Sequence, residues 1–249
     1  DGLRIDHVDG LRDPAGYLHE LADATRGTWT VVEKILEPSE SLPDWPVAGT
    51  SGYDFLIRVN DVFVDRAAEP AMTRCYEAVT GETTRFEDVV HAAKHRIMAD
   101  ELATEVDRLA SMLASICDGH RRHRDHTRRD LRDALTELVA AYPVYRTYVT
   151  AERTAGPDDR RHVGVAVTNA TATRPDVDAE LLSFLGQLAT GDVDGGAERE
   201  FAVRLQQLTA PVTAKCVEDT AFYRYHRLVS LNEVGGDPAT FGRPVTEFH

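Results

Sequence analysis

The run Trp29-Thr30-Val31-Val32-Glu33-Lys34-Ile35-Leu36 is short, β-branched and almost continuously apolar. Such a run is typical of a strand that is buried on both faces of a parallel sheet. A second strand-like segment, Gly2-Leu3-Arg4-Ile5-Asp6, precedes it. Between the two, Asp13-Pro14 predicts the start of a helix that stops at Gly27. The order strand, helix, strand at this spacing predicts a βαβ unit with parallel strands.

Residues 38–52, which are rich in Pro, Gly and Ser, read as a long loop, and long helices are predicted from about Asp54 to Tyr142. Thr84 opens a capping box, and the apolar stripe behind it predicts an amphipathic helix, broken at most once, as far as Gly119. A further helix is predicted from Thr127 to the proline at position 143.

Alternating elements return in the last hundred residues. Segments 143–149 and 211–217 read as strands, and helices are expected between them at about 176–189 and 197–208. Helices that interrupt a βα framework predict an α/β fold, either a barrel or an open sheet, with a helical insertion.

The charge balance narrows the possible partners. With 28 Lys and Arg residues against 42 Asp and Glu residues, the chain of 249 residues has a formal net charge of −14. Nucleic acid is therefore not expected as the main partner, because phosphate binding needs a basic surface. No run of 18 apolar residues predicts a membrane span. Three widely spaced cysteines do not form a disulfide framework and suit a cytoplasmic protein.

Three carboxylates follow or interrupt apolar strand-like runs: Asp6, Glu33 and Asp219. Active sites gather at the carboxyl ends of parallel strands, so acid–base chemistry is one interpretation. Structural pairing is the other, because a buried carboxylate often belongs to an ion pair and Asp219 could cap a helix that begins at Thr220. Two carboxylates in one cleft suggest glycoside chemistry. Arg4 should lie on the same strand face as Asp6 and keep it ionised.

Other clusters of reactive residues favour structural roles. The run from His120 to His126 reads as a solvated turn between helices, with a polyanion contact or a metal site as alternatives. The cysteines lack the spacing of a zinc site. Tyrosine and phenylalanine side chains near the strand candidates are expected in the core or as platforms for sugar rings. These residues are Tyr142, Tyr145, Tyr148, Phe222, Tyr223 and Tyr225.

Several of these stretches resemble signatures of glycoside hydrolase family 13, the α-amylase superfamily. Gly2-Leu3-Arg4-Ile5-Asp6-His7 is similar to the motif of the fourth barrel strand, and Val31-Val32-Glu33-Lys34-Ile35-Leu36 to that of the fifth. Segments 48–55, 143–148, 217–225 and 228–238 resemble members of the family that rearrange maltooligosaccharides. Val217-Glu218 stands where a typical amylase has Asn-His, and Cys216 where a glycine is expected.

The resemblance implies part of a (β/α)8 TIM barrel, about strands 4–7, with a large α-helical insertion. Residues 1–53 would be one barrel segment with strands 4 and 5, residues 54–142 the helical insertion subdomain, and residues 143–249 the barrel segment with strands 6 and 7. About four strands cannot close a barrel. The N-terminal half of the same protein is therefore expected as a missing partner, and this chain alone is expected to be inactive.

The implied activity is an intramolecular transglucosylation that converts the reducing-end α-1,4 bond of a maltooligosaccharide to an α,α-1,1 bond, with no metal and no cofactor. By motif position, Asp6 would be the nucleophile, Glu33 the acid/base and Asp219 the third carboxylate. The implied substrate-binding residues are Arg4, His7, Lys34, Tyr223 and Arg224. His7 and Lys34 each follow a catalytic carboxylate and should border the reducing-end side, although Lys34 in a structural ion pair is the alternative. There are two rival interpretations. One is an amylase-type hydrolase, and the other is an inactive fragment that binds a sugar or a partner.

Overall fold

The computed structural model describes residues 1–38, 40–150 and 152–248. They are mostly helical, with a small parallel sheet. The strands are β1 (Leu3–Ile5), β2 (Thr30–Val32) and β3 (Gly49–Thr50). The helices are α1 (Pro14–Ala24), α2 (Tyr53–Val62), α3 (Glu69–Thr80), α4 (Phe86–Ala99), α5 (Ala103–Gly119), α6 (Arg128–Ala140), α7 (Pro157–Thr173), α8 (Ala179–Thr190), α9 (Gly196–Val217) and α10 (Val245–Phe248).

The sheet has the order β1-β2-β3 with both pairs parallel. The register places Ile5 opposite Val32, and Val32 opposite Thr50. The predicted βαβ unit, with α1 between β1 and β2, is therefore confirmed. The third strand, β3, lies in the segment that the sequence predicts as a loop. It was not predicted because two residues are too few to show a strand pattern.

Two predicted strands are wrong among the described residues. Residues 211–217 form the last part of α9, in which Leu205, Leu208, Val212 and Cys216 are buried at helical spacing. Pro211 lies inside this helix and made the segment look separate.

Residues 143–149 are largely buried but pair with no strand in the described part of the chain. The side chain of Gln206 takes the place of a neighbouring strand at Val149: its Oε1 accepts from Val149 N at 2.9 Å and its Nε2 donates to Val149 O at 2.6 Å. An amide side chain can satisfy the backbone of a buried segment in this way without a sheet.

The predicted start of a helix at Thr127 is confirmed. Thr127 accepts a hydrogen bond from Asp130 N, and the Asp130 carboxylate accepts from Thr127 N, so α6 begins with a capping box. The predicted apolar stripe is divided once, between α4 and α5, as the sequence allows. Helix α7 lies in a region where no helix was expected.

The chain divides into two compact units. The division into barrel segments 1–53 and 143–249 and a helical insertion 54–142 stays a prediction. One unit comprises residues 1–8, 18–93 and 214–249 and carries the sheet. The other comprises residues 9–17 and 94–213. Its core is a helical cluster in which α6 packs against α5, α7 and α8. No helix in the described part of the chain is both long and apolar enough to cross a membrane.

Candidate active site

Asp6 and Glu33 leave two neighbouring strands at the same edge of the sheet. Each directly continues its strand, since β1 ends at Ile5 and β2 at Val32. The parallel pairing extends one step further, because Glu33 N donates to Ile5 O at 2.8 Å. The two carboxylates therefore stand side by side at the carboxyl ends of the strands, where parallel α/β folds place their active sites.

Arg4 bridges these two carboxylates. Its Nη1 donates to Asp6 Oδ1 at 2.6 Å, and its Nη2 lies 3.2 Å from Glu33 Oε1. The hydrogen bond from Arg4 is the largest cause that lowers the pKa of Asp6, followed by hydrogen bonding with the Glu33 side chain. The same contact raises the pKa of Arg4. Asp6 is thus held in its ionised form, which is the form that a nucleophile needs.

His7 contacts the pair through its backbone. His7 N donates to Glu33 Oε2 at 2.8 Å, so one Glu33 oxygen is held by Arg4 and the other by this amide. His7 has a φ of 47°, in the left-handed region that is unfavourable for a non-glycine residue. Strained backbone of this kind gathers at functional sites, and here it turns the amide toward Glu33. The imidazole itself is exposed.

The side chain of Lys34 contacts Glu40 and Ile35 O, and it forms no hydrogen bond or ion pair with Asp6 or Glu33 in the described part of the chain. Its side chain is buried, with Nζ 3.1 Å from Glu40 Oε1 and donating to Ile35 O at 2.8 Å. Successive side chains of an extended segment point to opposite faces, so Glu33 and Lys34 cannot both face the cleft. This geometry favours the structural ion pair over contact with a sugar, and a place for Lys34 at the border of the site stays a prediction.

The third strand adds a polar edge that sequence reasoning did not assign to the site. Ser51 N donates to Val32 O at 2.9 Å, so Ser51 is the next residue at the same edge as Glu33. Gly52 has a φ of 85° and turns the chain into α2. Tyr53, at the start of α2, contributes electrostatically to the raised pKa of Arg4. Segment 48–55 is itself one of the resembling motifs, and that is the signal that could have pointed to these residues.

Asp219, Tyr223 and Arg224 lie in the same unit as Asp6 and Glu33, but they follow a helix and not a strand. All three side chains are exposed, Tyr223 by 75%. Within residues 1–38, 40–150 and 152–248, Asp219 forms no hydrogen bond or ion pair with either carboxylate of the strand ends. The structure therefore brings together Asp6, Glu33, Arg4 and the amide of His7. The role of Asp219 as the third carboxylate stays a prediction.

Comparisons with known proteins identify relatives over the full chain. No family model matches the sequence. A protein of Mycobacterium tuberculosis (strain ATCC 25618 / H37Rv) named maltooligosyl trehalose synthase is 37% identical over 251 aligned positions, which cover 100% of this chain and 30% of that protein.

Solved structures show the same relation. Maltooligosyltrehalose synthase from Arthrobacter ramosus superposes with a TM-score of 0.85 and 38% identity, over 100% of this chain and 30% of that one. A hypothetical maltooligosyl trehalose synthase of Sulfolobus tokodaii gives a TM-score of 0.72 and 28% identity, over 100% and 29%. The chain thus spans about a third of the length of these relatives, and throughout its own length it is similar in sequence and fold to a segment of maltooligosyltrehalose synthases.

Proposed function

We propose that this chain supplies the nucleophile and the acid/base of a maltooligosyltrehalose synthase, an intramolecular transglucosylase of trehalose biosynthesis. The observation that carries the proposal is the pair of carboxylates, Asp6 and Glu33, held by one guanidinium at adjacent strand ends. Two carboxylates that flank a glycosidic bond are the machinery of retaining glycoside chemistry when they lie about 5–5.5 Å apart. Attachment to one arginine side chain supports that short separation over the wider spacing of inverting enzymes.

The barrel and the family follow as part of the proposal. Strands β1 and β2 would be the fourth and fifth strands of a family 13 (β/α)8 barrel, whose other strands lie elsewhere in a protein of the relatives' full length. A maltooligosaccharide would be the substrate, and neither metal nor cofactor would be needed. The chain alone should then be inactive, because the remaining walls of the site are required to hold the substrate and exclude water.

The chemistry proceeds in two displacements. Asp6 attacks the anomeric carbon of the penultimate glucosyl unit while Glu33 donates a proton to the departing oxygen of the reducing-end glucose. This breaks the α-1,4 bond and forms a β-glucosyl ester on Asp6. The released glucose then attacks the same carbon through its own anomeric hydroxyl, Glu33 takes the proton, and the ester bond breaks. The product has an α,α-1,1 bond and the mass of the substrate.

Asp219 enters this scheme only by motif position. In the resembling family the third carboxylate grips the sugar and stabilises the transition state. The side chains of Asp219, Tyr223 and Arg224 are exposed and therefore accessible to a substrate. Lys34 is left out of the substrate-binding set, since its ammonium is paired with Glu40.

An amylase-type hydrolase is the second candidate, because the same two carboxylates would serve it. The two differ in the acceptor: the retained glucose in the synthase and water in the hydrolase. The names of the relatives favour the synthase.

Product analysis tests the proposal. A protein of the relatives' full length that carries this chain is incubated with maltopentaose, and the reducing ends and masses of the products are measured. A pentasaccharide without a reducing end supports the synthase, whereas glucose and maltotetraose indicate hydrolysis. Glu33→Gln should abolish either reaction, while Glu20→Gln, which changes an exposed carboxylate on α1, should not. Full activity of Glu33→Gln would refute the assignment.

A further inference from the structure

A buried arginine holds the turn at residues 9–11, which follows β1 in the sequence. Arg146 Nη1 donates to Asp9 O and to Leu11 O, both at 2.6 Å. The guanidinium and this turn lie in the same compact unit. Hydrogen bonds from a charged donor are stronger than those between neutral groups, so a single nitrogen of Arg146 fixes two carbonyls of one short turn.

Two further side chains hold the same turn. Tyr148 Oη donates to Asp9 Oδ1 at 2.6 Å, and Gln207 Nε2 donates to Gly10 O at 3.2 Å. Each of the three residues of the turn is therefore bonded to a side chain from much later in the sequence. A surface turn rarely needs so many contacts, and their convergence indicates that the position of this turn matters.

The place of Arg146 is costly for a charged residue. It is 1% exposed, and its guanidinium forms no ion pair with a carboxylate within the described ranges of the chain. Burial lowers the pKa of Arg146, because it disfavours the charged form. A buried charge without an opposite charge is often less stabilising than an apolar side chain of similar volume. Packing alone therefore does not account for an arginine at this position.

The turn is close in sequence to the carboxylate pair. Only two residues separate Asp9 from Asp6, and one of them is His7, whose φ of 47° persists only where the surroundings determine it. The pairing of β1 with β2 fixes the chain before His7, and the hydrogen bonds to the turn fix it from Asp9 onward. The amide that donates to Glu33 Oε2 at 2.8 Å is thus held from both sides.

We propose that Arg146 is a positioning residue for the carboxylate pair, acting through the turn at residues 9–11 and the amide of His7. This role rests on the proposed function, since it requires that Asp6 and Glu33 carry the reaction. Arg146 acts without contact with the sugar. Its hydrogen bonds keep His7 in its strained conformation, so that the two carboxylates stay in their reactive arrangement.

Steady-state kinetics with maltopentaose test this role in a protein of the relatives' full length that carries this chain. Arg146→Met should lower kcat by about 100-fold with little change in KM, because a displacement of about 1 Å at the reacting groups costs that much while the substrate contacts remain. Arg146→Lys keeps a cation that can donate to both carbonyls and should recover part of the loss. Tyr148→Phe removes only the hydroxyl that holds Asp9 and should lower kcat by about tenfold.

Hydrogen–deuterium exchange, measured by mass spectrometry on the same proteins, reports the turn whatever the activity. Peptides that contain residues 6–11 should exchange faster in Arg146→Met than in the wild type. Arg160→Met, which removes an exposed ion pair with Asp192 in the same unit, is the matched control. Gly186→Ala, which crowds Val167 in that unit, controls for a loss of stability. Neither control should lower kcat.

Three results would overturn the proposal. One is an unchanged kcat, or unchanged exchange at residues 6–11, in Arg146→Met. Another is an equal loss of kcat in Gly186→Ala, which would reduce Arg146 to a stabilising role. The third is a rise in KM that accounts for the whole loss, which would place Arg146 in substrate binding. If Arg146→Met does not fold, the same criteria apply to Tyr148→Phe.

Failure of the proposed function would look different. The wild-type protein would then leave maltopentaose unchanged, whereas exchange at residues 6–11 would still become faster in Arg146→Met.

Discussion

Replacement of Lys34 by methionine separates the two roles considered for this residue. Lys34 Nζ lies 3.1 Å from Glu40 Oε1, and the side chains of the two residues are 0% and 6% exposed. Lys34→Met keeps the unbranched stem but leaves the Glu40 carboxylate buried without its cation. Removal of one partner of a buried ion pair costs about 3–5 kcal/mol, because the remaining charge stays desolvated.

Urea unfolding measures this loss. With a slope of about 3 kcal/mol per molar urea, the loss corresponds to a midpoint lowered by roughly 1–2 M. The double variant Lys34→Met/Glu40→Gln removes both charges and should recover most of the stability, since an ion pair replaced as a whole is often nearly neutral. In a protein of the relatives' full length that carries this chain, maltose binding at the carboxylate site should be unchanged in the double variant. A wild-type midpoint for Lys34→Met, combined with weaker maltose binding, would refute the structural role and return Lys34 to the sugar site.

Two further predictions concern the site and the helical unit. Arg4→Met should raise the pKa of Asp6 toward 3.8, because the hydrogen bond from Arg4 is the main cause that lowers it. Carboxyl ¹³C NMR measures this pKa, and an unchanged titration midpoint would contradict the prediction. Since the folded-state pKa lies below the unfolded value, the contribution of Asp6 to stability is present above the unfolded value and is lost as the pH falls through the folded one. Gly186→Ala would place a Cβ 2.8 Å from Val167 Cγ2 between α8 and α7 and should cost about 1–3 kcal/mol in urea unfolding. Gly164→Ala, in the middle of α7 with nothing within 4 Å, should instead stabilise by about 0.5–1 kcal/mol, and equal effects of the two would refute the packing argument.

The parts of the fold that the sequence predicts are those with a local signal. The run around Val31 and Val32 identifies β2, and the Thr127 cap identifies the start of α6. Residues 211–217 resemble a strand because five β-branched or small residues follow Pro211: Val212, Thr213, Ala214, Cys216 and Val217. The resemblance is lost when the preceding turns of the helix are included. The buried positions Phe201, Leu205 and Leu208 reveal the helix only when the window extends across the proline.

Strand alternation predicts one contact of the candidate site but not the others. Strand alternation places Arg4 and Asp6 on one face, and the structure joins them at 2.6 Å. The same alternation predicts that the side chains of Glu33 and Lys34 point to opposite faces. The bridge from Arg4 to Glu33 and the hydrogen bond from the His7 amide depend on the register between β1 and β2. His7 and Glu33 are 26 residues apart in the sequence, and no local pattern encodes a contact over that distance.

In the proposed mechanism, Asp6 becomes covalently attached to glucose while Glu33 transfers the proton. The test uses a protein of the relatives' full length that carries this chain and the substitution Glu33→Gln. This protein is incubated with α-maltosyl fluoride and then analysed by mass spectrometry. Fluoride leaves without protonation, so the variant should still form the glycosyl ester on Asp6. Because the variant lacks the Glu33 base, this ester should persist. We expect a mass increase of one maltosyl group on the peptide that contains Asp6, and no increase in the double variant Asp6→Asn/Glu33→Gln. A label on another residue, or an unlabelled protein that nevertheless consumes the fluoride, would contradict it.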